Sequence, residues 1–219
     1  MTPPARVVVL AAPSGGGKTT IARELVTRHP GVFGYSVSAT TRKARPGERD
    51  REAYHFLTQD EFLRRRDAGE LYGTLRSEVE GVLASGRHVV LDVEVQGARQ
   101  VRQAYPQPAS VVSFVIPPSP RVLIERLRKR RTETEAELSQ RIDIAIREVE
   151  TARRDIGDVY DQVLVNDDLD TAVREVIDLV QGRGVAPHPP RDMASLLSGF
   201  VRQLRTEAAQ LSQSTGRSR

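Results

Sequence analysis

Arg6–Ala12 (RVVVLAA) is, after its arginine, an unbroken apolar run led by three β-branched valines. It stops at Pro13, Ser14 and three glycines, and Lys18–Arg28 (KTTIARELVTR) then follows at helical spacing. No other feature restricts the fold as strongly. A strand without polar alternation is buried on both faces, which requires helices on both sides of a mostly parallel sheet. A glycine-rich turn running straight into a helix then sets backbone N–H groups and the helix's positive end at the carboxyl edge of that sheet.

The alternation continues along the chain. Apolar runs at His88–Val95, Ser110–Ile116 and Gln162–Val165 predict further strands, and Pro117 and Pro118 close the second of them. Periodicity predicts helices over Ala98–Tyr105, Pro120–Arg131, Glu133–Arg154 and Leu169–Gln181. The expected class is α/β, a phosphate-loop NTPase-type parallel sheet flanked by helices. Residues 35–85 fit the alternation poorly: they are polar, arginine-rich and interrupted by Pro46 and Gly47. They are expected as a small lobe inserted between core segments 4–34 and 86–183. Residues 184–192 have linker composition. In 193–219, Met193, Leu196, Leu197, Phe200, Val201, Leu204, Ala208 and Leu211 repeat at helical spacing and predict an amphipathic helical tail. Its stripe fits the chain's own core, a second copy in a homodimer or, least of the three, a membrane surface.

Composition narrows the partners. Of 219 residues, 38% are hydrophobic and 28% charged, a globular balance. No apolar run nears the roughly 20 residues of a membrane span. Cysteine is absent, which excludes disulfides, thiolate metal sites and thiol catalysis. The run before the glycine loop is too short for a secretory leader, so a cytoplasmic protein with no membrane partner is expected. The net charge of +4 is spread among mixed signs, and nucleic acid is not expected as a partner. Nearly all the positive charge is arginine; the lysines are Lys18, Lys43 and Lys129.

Lys18 stands where a compact point charge has a purpose. Ala12-Pro13-Ser14-Gly15-Gly16-Gly17-Lys18-Thr19 fits the phosphate-loop pattern G-x-x-x-x-G-K-[ST], with alanine at the first glycine. Glycines let backbone N–H groups turn inward around a polyphosphate. The lysine ammonium reaches the β and γ oxygens, and the Thr19 hydroxyl can join a Mg²⁺ shell. With the adjoining Thr20, this is a nucleoside triphosphate site. The bland alternative, a β–α turn with an incidental lysine, does not explain the strand before it or the helix after it. Such loops serve ATPases, GTPases and small-molecule kinases alike, so the loop leaves the reaction open.

Hydroxyls at Ser36, Ser38, Thr40 and Thr41 precede Arg42 and Arg45, three residues apart and just before a Pro-Gly turn. Guanidinium forks match phosphate oxygens, which makes this an anion site; a solvated arginine-rich loop is the alternative.

The phosphate loop, YSVSATTRKARPGE, Tyr54-His55-Phe56, Tyr72-Gly73-Thr74, LDVEVQG at 91–97, Pro117-Pro118-Ser119, RTETE at 131–135 and Val165-Asn166-Asp167-Asp168 follow one another in order. The series resembles the motifs of the guanylate kinase family, from about Arg6 to Gln181. The resemblance implies transfer of the γ-phosphoryl of ATP to GMP or dGMP, with Mg²⁺ accompanying ATP. It implies that Ala12–Thr19 hold the ATP phosphates, with Asn166 near the adenine. Arg42, Arg45, Tyr54 and Tyr72 would grip the GMP phosphate, while Ser38, Thr74 and Asp92 face the guanine. Arg130 and Arg141 match the family's lid arginines, in a lid at about 126–147, and with Lys18 and Arg42 would form the catalytic set. Asp92 remains open to a structural or Mg²⁺-side role, and Arg130 to a solvated helix face.

Two departures stand out. The family carries a stretch like F-L-E-W-A-x-V-x-G-N-Y before Tyr-Gly-Thr, whereas here Gly69-Glu70-Leu71 runs directly into Tyr72. About ten residues are missing, enough to remove a strand, and with them the glutamate that reads guanine in the family. Lys129-Arg130-Arg131 also replaces a Gly-Arg-Gly at the lid. These departures keep two alternatives open: a kinase with a relaxed or altered acceptor, and a non-catalytic binding module.

Overall fold

The computed structural model describes residues 4–44, 47–52, 54–70, 74–129, 135–183 and 190–216, with backbone alone for 190 and 212–216. Five segments form one parallel sheet: β1 (Val7–Ala11), β2 (Phe33–Ser36), β5 (His88–Val93), β6 (Ser110–Ile116) and β7 (Gln162–Val165), in the order β2-β5-β1-β6-β7. β1 takes the centre because all five of its side chains are apolar and buried. Its odd and even residues serve opposite layers. Val8 and Leu10 pack with Ile21 and Leu25 of α1 (Lys18–Arg28) and with Val173 and Val176 of α7 (Leu169–Val180). Val7 and Val9 belong to the other layer, built by α4 (Val95–Ala104), α5 (Pro120–Arg128), α6 (Glu135–Arg154) and α8 (Pro190–Gly216).

The expected lobe divides in the structure. Its first residues continue β2 through Ser36, paired to β5. Its last part is α3 (Arg76–Ala84), which lies on β2 and β5 with Val79 fully buried. Gly34 permits that approach: a Cβ there would stand 2.6 Å from Val82 Cγ1. What projects from the sheet is β3 (Ala39–Thr40), β4 (His55–Phe56) and α2 (Gln59–Asp67). Gly69, at φ 70°, ends α2: its N–H bonds Arg66 O at 3.0 Å, and Glu70 N–H bonds Arg65 O at 2.9 Å. This left-handed stop turns the chain back at once. Arg76 N–H bonds Glu70 O at 2.9 Å, and Thr74 bridges Ser38, so the described residues on either side of 71–73 are tied together at the base of the lobe.

The tail helix starts at Pro190, earlier than its apolar stripe suggests. Met193, Leu197, Phe200, Val201 and Leu204 are buried in the same cluster as Leu138, Ile142 and Val149 of α6. Arg205 adds an ion pair to Glu150 at 2.6 Å. The stripe is therefore covered by the chain's own core, which removes the sequence argument for a homodimer or a membrane surface through it. No helix among the described residues is long and apolar enough to cross a membrane.

Candidate nucleotide site

β1 delivers the loop to the carboxyl edge of the sheet, and the loop's geometry follows from its glycines. Gly15 and Gly17 take φ values of 87° and 95°, a region that side chains disfavour. Ala12 in the first glycine position is buried in the core, and a Cβ on Gly16 would stand 2.7 Å from its own Cβ. Alanine is tolerated at one end of the loop because glycine occupies the other. Gly17 caps α1 with no side-chain hydrogen bond, leaving the first-turn amides without a capping side chain. Such an end suits an anion.

Pro13, Gly15, Gly16, Gly17, Lys18, Thr19 and Thr20 line a cleft of about 460 Å³ together with Arg126, Asn166, Asp167 and Leu169. Asn166 is buried; its Nδ2 donates to Gly16 O at 3.1 Å and so braces the loop. Ser14 turns away, its Oγ accepting from Arg141 Nη2 at 3.0 Å. The sequence reading missed Arg126, whose Nη1 donates to Gly16 O at 3.4 Å, because an arginine in RLRKRR has no distinguishing signal.

A second cleft of about 450 Å³ adjoins the first. Lys18, Ser38, Thr40, Thr41, Arg42, Tyr54 and Asp92 line it, with Phe62 and Glu94. Lys18 lines both clefts. Asp92, only 6% exposed, meets Lys18 Nζ at 3.4 Å and accepts from the Thr19 hydroxyl. Ser38 Oγ donates to Asp92 O at 2.7 Å and ties the lobe to the end of β5. Arg42 is held by Glu48 at 2.6 and 2.7 Å and lies over the rings of Tyr54 and Phe56. The carboxylate of Glu48 holds the guanidinium above its ordinary pKa. This is a preformed fork in the geometry that also suits a phosphate.

Thr74 does not face this cleft. It is fully buried, with Oγ1 against Ser36 Oγ and 3.1 Å from Val37 O. Glu78 of α3 locks the same corner, accepting from Val37 N–H at 3.0 Å and meeting His55 Nε2 at 2.6 Å. Arg45, Tyr72 and Arg130 lie outside the described residues. Glu94, missed by the sequence reading, stands two positions after Asp92 at the end of a strand, a spacing that was available as a signal.

No cluster of three or more acidic, histidine or cysteine side chains among the described residues is set to hold a metal ion. Thr19 and Asp92 instead offer two hard oxygen ligands beside the loop. That fits Mg²⁺, which is held by few protein groups and by the phosphates it accompanies.

The family model for guanylate kinase matches residues 4–183. Guanylate kinase from Salinibacter ruber is 45% identical over 186 residues, covering 80% of this chain and 95% of that protein. The Carboxydothermus hydrogenoformans guanylate kinase is 42% identical over 180 residues, with 78% and 84% covered. The human one is 40% identical over 181 residues, with 78% and 90% covered. The crystal structure of guanylate kinase from Anaplasma phagocytophilum superposes with a TM-score of 0.56 at 27% identity, covering 85% of this chain and 89% of that one. With its loop, its adjoining clefts and these relatives, the chain belongs to the guanylate kinase family.

Proposed function

We propose that this chain transfers the γ-phosphoryl of ATP to GMP, with ATP in the loop cleft and GMP in the adjoining one. The enzyme class, an ATP:GMP phosphotransferase, comes with the family. The observation that carries the assignment of the clefts is Lys18, which lines both. A GMP phosphate oxygen attacks the γ phosphorus, the bond to the β–γ bridging oxygen breaks, and ADP leaves. The attacking atom is already anionic, so positioning and charge neutralisation matter more than a general base.

In this reading Lys18 neutralises charge on the transferring group, and Arg42 grips the GMP phosphate in exchange for Glu48. Ser38 and Tyr54 complete the acceptor wall; Arg45 and Tyr72 join it, and Arg130 and Arg141 act from the lid over 126–147. Thr19 and Asp92 hold the Mg²⁺, which supplies charge neutralisation when bound with ATP. Of the two carboxylates on the acceptor cleft, Asp92 is engaged by Lys18 and Thr19. Glu94 is then the group to accept from the N–H donors of guanine, in place of the family's missing lobe glutamate. Adenine offers no such pair of donors, and a site built on them rejects it. The reading extends to the cytoplasmic setting expected from the sequence.

ADP formation from MgATP, measured with GMP, dGMP, AMP, UMP and CMP in parallel, tests it. Turnover with GMP and dGMP at least about 100-fold above the rest is expected. Equal turnover across the bases would replace it with a relaxed acceptor site.

A further inference from the structure

The reaction as described leaves Glu148 without a part, although this carboxylate is mostly buried beside the triphosphate loop. It sits on α6, and its Oε2 accepts the backbone N–H of Ser14 at 3.3 Å. Arg141, seven residues earlier on the same helix, donates to Ser14 Oγ at 3.0 Å. Seven residues are about two helical turns, so both side chains leave one face of α6. One loop residue is thereby held at its amide and at its hydroxyl by one helix.

A negative charge next to an anion-binding loop opposes the loop's ligand. Burial pushes the Glu148 carboxyl above its ordinary range, and Glu94 at the start of α4 adds to this; the Ser14 amide, Lys18 of α1 and neighbouring Arg147 act the other way. Tyr160 also lies within electrostatic reach. A carboxylate in this position needs a compensating role, and its bond to Ser14 supplies one.

We propose that Glu148 is a positioning residue for ATP: it fixes the Ser14 peptide so that the loop keeps its phosphate-binding shape, and it ties the loop to the helix that carries Arg141. Ser14 itself does not line the triphosphate cleft, as this role requires. The proposal rests on the triphosphate reading of the loop, but not on the identity of the acceptor.

The test compares Glu148→Ala, Glu148→Gln and wild type for MgADP affinity by calorimetry, and for KM of ATP and of GMP. Glu148→Ala is expected to weaken MgADP binding and raise the ATP KM about ten-fold, with the GMP KM within about two-fold. Glu148→Gln keeps an oxygen that accepts from Ser14 N–H and is expected to recover most of that loss. MgADP binding by Glu148→Ala at or above wild-type strength would overturn the proposal, as would a glutamine variant as weak as alanine. An equal loss for ATP and GMP would reduce Glu148 to general structural support. Should Glu148→Ala fail to fold, Glu148→Asp takes its place: it is too short to reach Ser14 and should bind MgADP as weakly as predicted for alanine. A wild type that binds MgADP without phosphorylating GMP overturns the acceptor reading alone, and this comparison is still decided on MgADP affinity. A wild type that binds no MgADP overturns both.

Discussion

Asp92 shows how much one side chain's surroundings decide about its role. Its carboxylate is turned to Lys18 and Thr19, while its backbone carbonyl takes the Ser38 hydroxyl. That favours work on the metal and phosphate side over base reading, two roles that sequence alone left open. Asp92→Asn keeps an acceptor for Thr19 and removes the charge. The variant should need about ten-fold more Mg²⁺ for half-maximal rate while keeping its preference for GMP over AMP. A Mg²⁺ titration at saturating ATP with both acceptors distinguishes the roles; loss of base preference at an unchanged Mg²⁺ requirement would return Asp92 to the guanine. Residue identities were otherwise legible where chemistry demands one type. Lys18 and the loop glycines could be read directly, whereas Arg126 and Glu148 could not, because an arginine or glutamate on a helix acquires meaning only from what packs against it.

Elements were legible where their pattern was strong. β1, β6, β7, α1 and α7 lie within a residue or two of where their apolar periodicity puts them. β2 and α3 were not found, because Phe33–Ser36 is short and mixed and α3 presents few apolar residues to a sheet edge. The start of β5, inside that edge, carries a titratable contact. His88, the first residue of β5, is buried and accepts Arg6 N–H at Nδ1 at 3.0 Å, which requires the neutral ring with its proton on Nε2. Burial, reinforced by Arg6, lowers its pKa from the ordinary 6.5. Below that value the unfolded chain binds a proton that the folded chain resists, so this contribution to stability is complete above about pH 6.5 and is lost as pH falls toward the folded pKa. Thermal unfolding from pH 7.5 to 5 should show Tm falling more steeply in wild type than in His88→Gln. Parallel slopes would mean that another group controls acid stability.

On the scale of the whole molecule, the carboxyl edge of the sheet and the loop frame two clefts, α6 braces the loop at Ser14, and α8 packs on α6 from outside the family's segment. The family match ends at residue 183, while α8 buries Met193, Leu197 and Leu204 against α5 and α6. The tail's helicity was legible from its stripe, but which surface would cover it was not, since apolar periodicity names no partner. The lobe was equally ambiguous in sequence; in space, Gly69 ends α2 with a left-handed turn and Thr74 bridges Ser38 at the base of the lobe. The proposed reaction requires Lys18 to join the two clefts into one reaction centre. GMP-dependent ADP formation by Lys18→Ala, compared with wild type at matched Tm, tests this most directly. A fall of at least about 100-fold in kcat with unchanged Tm is predicted. A variant that keeps turnover within a few-fold of wild type would contradict that role for Lys18.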